Sequence, residues 1–334
     1  MAQDNQTSRV TEFVLLGLSQ NSKLNLLLFL FFLIIYITTW IGNLTIILTV
    51  IFMHQLHTPM YFLLANLAGT DIGNSTVTAL KMLGGLLSYP NTISFNWCIT
   101  QIFFFHFISG AVDIFLVLLA VDRYIAIYKP LQYLLIMKQE VCIGFVAAAW
   151  LSGFVHSIIQ IGILVQLPFC GPNVLDHFFC DISQFVKLSC TDTYMTEILM
   201  VTNSGLLLVV IFFALLVSYS VILIKIRTHV TEGRHKALST CAAQIMVISI
   251  HFGPSMFSYN QLFRVFPGEK FVAVMYTLIT PMLNPMIYTL RNAEMKNAIR
   301  KLKRKIWSSR SGMISFPSCC PNFSSEFLKC RTCI

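Results

Sequence analysis

The chain has 334 residues, of which 56% are hydrophobic and only 11% are charged, and its mean hydropathy is +0.73. Soluble domains carry about 25% charged residues, so this composition excludes a protein that hides its apolar surface in one water-soluble core. The formal net charge of +9 comes from basic residues between apolar segments, a distribution that indicates membrane topology and not a nucleic-acid partner.

Seven apolar runs reach the roughly 20 residues that a helix needs to cross a bilayer. Five contain no Lys, Arg, Asp or Glu, and the other two are interrupted only by Asp71 and Asp113. Backbone groups in hydrocarbon must be hydrogen-bonded within their own segment, which continuous runs achieve as helices. We predict an all-α membrane protein, a seven-transmembrane helix bundle over residues 26–290, with spans at 26–52, 59–80, 98–122, 141–164, 198–224, 237–263 and 271–290.

Basic residues predict the orientation of this bundle, because cytoplasmic loops carry an excess of Lys and Arg. With the N-terminus outside, the outer segments hold few, whereas the second and third inner loops hold seven and the tail from residue 291 holds ten. We expect a multi-pass plasma-membrane protein with residues 1–25 extracellular and residues 291–334 forming a cytoplasmic helix and tail. The helix after the seventh span is short and amphipathic, and it should contact anionic lipid headgroups through Lys296, Arg300, Lys301, Lys303, Arg304 and Lys305.

The predicted topology sorts the cysteines and the glycosylation sequences. Cys98, Cys170, Cys180 and Cys190 fall on the outer side, in an oxidising compartment. Four thiols there indicate two disulfides, for which the residues alone allow three pairings. Of the four Asn-X-Ser/Thr matches, only Asn5 lies in an extracellular segment, so Asn5 is the candidate glycosylation site.

The spans contain no catalytic constellation. There is no phosphate-binding glycine loop, no HExxH and no pair of carboxylates, and His106, His156 and His251 are scattered over three helices. We predict that the protein is not an enzyme and that it has neither a cofactor nor a metal centre. A transporter is the alternative, since Asp71 and Asp113 could relay ions and transporters have broken helices, but the sequence has no detectable internal repeat.

Several motifs occur at particular places along these spans. Together they resemble the rhodopsin-like G-protein-coupled receptors: Gly42 and Asn43 in span one, Asp71 in span two, "DRY" at 122–124 ending span three, Trp150 in span four, and "NPMIY" at 284–288 in span seven. Within that group, "PMYFLLANLAGTD", "DRYIAIYKPLQY", "SYSVILIKI", "KALSTCAAQIMVI" and "PMLNPMIYTLRN" resemble the signature segments of olfactory receptors. The resemblance covers roughly residues 10–305.

The resemblance implies an odorant receptor that binds small volatile molecules inside the bundle. It further implies activation of an olfactory-type stimulatory G protein, whose α subunit inserts a helix where span six swings outward, and a rise in cAMP. An unpaired arginine at the membrane edge is costly, so Asp122 can hold Arg123 in the resting state. The residues assigned to coupling and activation are Asp122, Arg123, Tyr124, Tyr219, Asn284, Pro285 and Tyr288. For the last two tyrosines, Tyr219 and Tyr288, anchoring at the membrane interface is the alternative.

The resemblance also implies a polar cluster and two disulfides. Asn43, Asp71 and Asn284 match a cluster that holds waters or a sodium ion in many of these receptors. Olfactory receptors commonly have an acid at the position of Val112, whereas this chain has Asp113 one residue later, turned by about 100° on a helix. This departure leaves sodium binding open. The implied disulfide pairs are Cys98 with Cys180 and Cys170 with Cys190.

The ligand pocket is expected in the outer half of the bundle, between spans three, five and six. By position the resemblance assigns to it His106, Ser109, Gly110, Asn203, Leu207, Phe252, Ser255 and Tyr259. The alternative is that these faces only pack helix against helix. A lining without fixed charge suits a small apolar molecule with one oxygen function, an alcohol, ketone or ester, while carboxylates bind poorly unless His106 is protonated.

Two other ligand classes of rhodopsin-like receptors are disfavoured, because this chain lacks the residues that those ligands need. A retinal protein needs a lysine in span seven, which contains none, and an amine receptor needs an acid where this chain has Phe105. Use of an olfactory-type receptor outside olfaction, for another small ligand, is compatible with every motif.

Tyr259 supplies the first test of the pocket. The change Tyr259→Phe removes one hydroxyl donor, and a hydrogen bond of this type contributes about 0.5–1.5 kcal/mol. The half-maximal concentration of an oxygenated agonist should therefore rise about three- to tenfold at unchanged surface expression. An unchanged dose–response for every agonist would remove Tyr259 from the pocket.

Overall fold

The computed structural model describes residues 11–88, 90–169, 173–229, 234–260 and 268–310. Helices dominate these ranges, and a short sheet lies at one end. The helices are α1 Ser22–Phe52, α2 Pro59–Leu87, α3 Phe95–Tyr128, α4 Tyr133–Ile136, α5 Gln139–Leu164, α6 Ile182–Lys187, α7 Tyr194–Met200, α8 Leu207–His229, α9 Arg234–Asn260, α10 Glu269–Val274, α11 Thr280–Arg291 and α12 Ala293–Arg310.

These helices form the predicted seven-span membrane bundle, which confirms the fold class. The spans are α1, α2, α3, α5, α7–α8, α9 and α10–α11, where α7–α8 and α10–α11 continue through the π-helical turns Val201–Leu206 and Met275–Ile279. Six spans are long and apolar enough to cross a membrane by composition alone. The seventh, α2, is less apolar because it carries groups such as Asp71 and Lys81, yet its 29 residues extend about 44 Å.

Polar caps place the helix starts outside the apolar runs. Asn21 accepts a hydrogen bond from the N–H of Lys23 and starts α1 four residues before the predicted span. Ser94 caps α3 through the N–H of Trp97, and α3 then continues past Arg123 to Tyr128. Helix boundaries therefore follow capping chemistry, while the hydrophobic runs mark only the central part of each span.

A three-stranded sheet at one end of the bundle was not predicted. Strand β1 Glu12–Leu15 pairs antiparallel with β2 Thr92–Ser94 and parallel with β3 Val174–Leu175, in the order β2-β1-β3. Phe13 on β1 is fully buried, with its ring centroid 4.8 Å from that of Phe185. We call this end the sheet end, and the opposite end, which contains Arg123 and α12, the basic end.

The helix α12 is the predicted short helix after the seventh span. Its apolar face is buried at Met295 and Ala298, while Lys301, Lys303 and Arg304 are exposed. The hydroxyl of Tyr61 in α2 donates to Oε2 of Glu294 at 2.8 Å. The helix is therefore attached to the bundle through its first turn and presents its basic face outward.

The helices α3 and α5 meet with their backbones almost in contact. A Cβ atom on Gly153 would lie 2.3 Å from the carbonyl oxygen of Phe107 and 2.9 Å from the nitrogen of Ala111. A Cβ on Gly110 would lie 3.1 Å from Cα of Gly153. Small residues permit such approaches between membrane helices, and this contact positions the α5 wall of the cavity described below.

Gly153→Ala should therefore destabilise the folded protein. The added methyl group has no room against the backbone of α3, and overpacking of this kind costs about 1–3 kcal/mol. A lower unfolding temperature of the purified protein would measure the effect. Gly162→Ala on the same helix is the matched control, because its Cβ would meet no atom within 4 Å. Equal stability of the two variants would contradict the close contact.

Candidate ligand cavity and the Asp122–Arg123 site

A cavity of about 110 Å³ lies inside the half of the bundle nearer the sheet end. Residues of α2, α3, α5, α8 and α9 form its walls, and the segment after Cys180 contributes Asp181, Ile182 and Ser183. A larger cavity of about 310 Å³ lies between the N-terminal segment and the ends of α1 and α2, and none of the predicted ligand residues lines it.

The structure brings most, but not all, of the predicted pocket residues to the smaller cavity. His106, Ser109, Gly110, Leu207 and Ser255 line it. Phe252 and Asn203 are not among the described lining residues, and the side chain of Tyr259 lies outside the part of the chain whose side chains are described.

Phe252 and Asn203 are the two that differ. Phe252 is fully buried and packs into the core, with its ring centroid 5.7 Å from that of Phe212. Asn203 is not among the described lining residues, and its Nδ2 atom lies 3.4 Å from Nδ1 of His156. The π-helical turn that contains Asn203 shifts the register of the fifth span, which periodicity on a regular helix does not anticipate.

The expectation of a cavity without fixed charge is wrong. Asp113 lines the cavity, and its Oδ1 atom lies 2.9 Å from Nε2 of His251 on α9. Asp113 follows His106 by seven positions and Ser109 by four, so these side chains share one face of α3. This spacing is a property of the sequence, whereas the contact with His251 depends on how α9 packs against α3.

His106, His156 and His251 lie on three different helices, and all three line this cavity. The ring centroids of His106 and His156 are 5.7 Å apart, and His251 lines the same space. Gln160 donates through Nε2 to Oγ of Ser204, which joins α5 to the fifth span. Within the described residues, no group of three or more His, Cys, Asp or Glu side chains is arranged to hold a metal ion.

A disulfide fixes the segment that closes the cavity. Cys98 at the start of α3 is bonded to Cys180, with their Cα atoms 5.5 Å apart, which confirms this predicted pair. The N–H of Cys180 donates to Oε1 of Gln101 at 2.9 Å. Cys190 is also disulfide-bonded, and its predicted partner, Cys170, lies outside the described residues, as does the candidate glycosylation site Asn5.

At the basic end, Asp122 and Arg123 form a closed pair. Nη2 and Nε of Arg123 lie 2.5 Å and 2.9 Å from Oδ2 of Asp122, whose side chain is completely buried. The hydroxyl of Tyr133 donates to the other oxygen, Oδ1, at 2.6 Å. Burial and the neighbouring Asp122 raise the pKa of Tyr133, so this hydroxyl keeps its proton. Tyr124 is exposed, and its ring stacks on that of Tyr128 with the centroids 4.5 Å apart.

The tyrosines of spans five and seven are both buried. Tyr219 donates to Oε1 of Gln244 at 2.9 Å, which connects α8 to α9. The hydroxyl of Tyr288 has no hydrogen-bond partner among the described residues. Burial inside the bundle does not fit the alternative of membrane-interface anchors.

The polar cluster is centred on Asp71 and Asn284. Nδ2 of Asn284 lies 3.0 Å from each carboxylate oxygen of Asp71. Asn43 instead donates to the carbonyl oxygen of Pro281 at 3.0 Å. The Oδ1 atoms of Asn43 and Asn284 have no partner among the described residues, and free oxygens of this kind fit either waters or a sodium ion.

A seven-helix bundle with a polar cavity at one end and an Asp–Arg pair at the other is the architecture of a membrane receptor. The family model described as olfactory receptor matches residues 32–305. The chain is 51% identical to human Olfactory receptor 4E2 over 301 residues, which are 90% of this chain and 96% of that protein.

Two further relatives show similar identity. Human Olfactory receptor 4D1 is 52% identical over 296 residues, covering 89% of this chain and 96% of the relative. Mouse Olfactory receptor 4E2 is 48% identical over 301 residues, covering 90% and 97%. The chain belongs to the olfactory receptor family, whose members are receptors and not enzymes.

Proposed function

We propose that the protein is an odorant receptor that binds a small volatile organic molecule in the 110 Å³ cavity and activates an olfactory-type stimulatory heterotrimeric G protein. Activation raises cAMP. The observation that carries the proposal is the closed Asp122–Arg123 pair at the end of the bundle opposite the cavity. Such a pair neutralises the guanidinium in the resting state, and the same guanidinium can leave the carboxylate to donate hydrogen bonds to backbone carbonyls of a docked partner.

The two ends of the bundle are connected through α3 and α9. Residues of both helices line the cavity. At the basic end, the hydrogen bond between Tyr219 and Gln244 holds α9 to α8. A ligand that favours a different arrangement of α3 and α9 therefore favours release of Arg123. Outward movement of α9 then opens the space for the carboxyl-terminal helix of the G-protein α subunit.

The orientation of the protein follows from its charge. The basic end contains the loops with the most Lys and Arg, so it faces the cytoplasm, and the sheet end, with Cys98 and Cys180, faces outside. The proposed location is the plasma membrane. Use of the receptor outside olfaction would change the source of the ligand and not this mechanism, and family membership leaves the transporter alternative without support.

Arg123→Ala should abolish ligand-stimulated cAMP at normal surface expression. The arginine acts on the coupled state and is not needed to fill the core, since its side chain is 19% exposed. The assay is cAMP accumulation in cells that express the receptor, with an agonist found by screening volatile compounds. Arg304→Ala on the exposed face of α12 is the control, and full signalling by Arg123→Ala at matched surface level would contradict the proposal.

Tyr133→Phe should raise the basal cAMP level. This change removes the hydroxyl that donates to Oδ1 of Asp122 and so weakens the closed pair. A hydrogen bond of about 0.5–1.5 kcal/mol corresponds to about a two- to tenfold increase in the active fraction. Tyr194→Phe at the exposed sheet end is the control, and unchanged basal signalling would show that Tyr133 does not restrain the pair.

A further inference from the structure

The lining of the cavity contains more hydrogen-bond acceptors than the protein itself satisfies. Oδ1 of Asn74 and Oε1 of Gln160 have no partner among the described residues, although both side chains line the cavity. Nε2 of His251 contacts Oδ1 of Asp113 at 2.9 Å, and this contact does not involve the other carboxylate oxygen, Oδ2. Buried acceptors in proteins are normally paired, so this lining is incomplete without a molecule that brings donors.

The described lining contains acidic side chains without a Lys or Arg to balance them. Asp113 and Asp181 contribute carboxylates, and no Lys or Arg is among the described lining residues. The titratable nitrogen bases among the described lining residues are the imidazoles of His106, His156 and His251. Asp181 is already engaged, because its Oδ1 atom accepts from the N–H and the hydroxyl of Ser183. Asp113 is likewise engaged through Oδ1, but it lies on α3 on the same face as the lining residues His106 and Ser109, which makes it the candidate acid for a ligand inside the bundle.

Ligand functional groups differ in how well they match this surface. An ammonium group has three N–H donors, no acceptor and a positive charge. An alcohol brings one donor together with its own acceptor, and a ketone or an ester brings acceptors only. A carboxylate adds both acceptors and a charge of the wrong sign. Charge-assisted hydrogen bonds are also the stronger ones, so the match favours the ammonium group.

We infer that the cavity binds a small primary amine in its ammonium form, with Oδ2 of Asp113 as the counter-ion. The inference rests on the proposed function, in which this cavity is the ligand site, and it names the ligand class. Such a ligand contacts the carboxylate that links α3 to α9 through His251. Binding of this ligand therefore acts on α3 and α9, the two helices whose rearrangement the proposed activation requires.

The volume sets the size of the amine. An engineered cavity of about 150 Å³ holds benzene, which has six heavy atoms, so a cavity of about 110 Å³ suits a chain of about five. Butan-1-amine has this size and, like a lysine side chain, is protonated at pH 7. Butan-1-ol and butanoic acid have similar carbon skeletons and differ in the functional group.

The test measures binding and signalling of these three compounds separately. Binding is measured as the ligand-induced shift in the unfolding temperature of the purified receptor, and signalling as cAMP in cells. We expect butan-1-amine to stabilise the receptor and to act at about 10- to 100-fold lower concentration than butan-1-ol, with no response to butanoic acid. This ranking on the unaltered protein tests the ligand class without any substitution.

Asp113→Asn then tests the residue. It should remove the preference for the amine over the alcohol, a loss of about 10- to 100-fold in the concentration of butan-1-amine required. Glu12→Gln is the matched control, because it also replaces an acid by its amide but lies at an exposed position on β1, outside the cavity. His251→Gln should keep the amine preference, since the carboxylate remains.

The outcomes separate this inference from the proposed function. Stabilisation by butan-1-ol but not by butan-1-amine would overturn the amine class and leave the receptor proposal intact. An amine preference that survives Asp113→Asn would remove Asp113 as the counter-ion. Stabilisation by the amine without any rise in cAMP would support the amine class and contradict the proposed coupling.

Discussion

Backbone carbonyl groups inside a bilayer need hydrogen-bond donors, and two prolines leave such groups without one. Pro254 and Pro285 have no N–H, so the carbonyls four residues earlier, at Ile250 and Pro281, lose their helical partners. Side chains from neighbouring helices replace them. Oγ1 of Thr280 donates to Ile250 at 3.2 Å, and Nδ2 of Asn43 donates to Pro281 at 3.0 Å. These bonds hold together the spans that the proposed mechanism needs to move.

Polar residues of the spans consequently occur in pairs that cross between helices. Asn284 binds Asp71, His251 binds Asp113, and Tyr219 binds Gln244. Each pair removes an unpaired polar group from hydrocarbon, which would otherwise be costly. Each also joins two particular spans, so the cavity, the proline breaks and the Asp122–Arg123 pair are connected through a few directional contacts within an otherwise apolar bundle.

Several parts of the site followed from residue patterns and several did not. The resemblance assigned His106, Ser109 and Gly110 to the pocket by position, and all three line the cavity from one face of α3. Phe252 was assigned in the same way, yet it fills the core. Spacing on one helix gives the direction of a side chain relative to its neighbours in the sequence. It does not say whether another helix or an open space lies opposite.

The sequence by itself determined the helical class, the number of spans and the membrane setting, because the cost of exposing backbone and charge to lipid depends on local composition. It also placed the Asp122–Arg123 pair, whose partners are adjacent in the chain. Only the tertiary structure decided which polar groups meet across helices: three histidines at one cavity, Asp113 against His251, and Asn43 on the carbonyl of Pro281. Such contacts join residues as many as 238 positions apart. They depend on helix rotation, on π-helical turns and on the close approach at Gly153, none of which a single segment specifies.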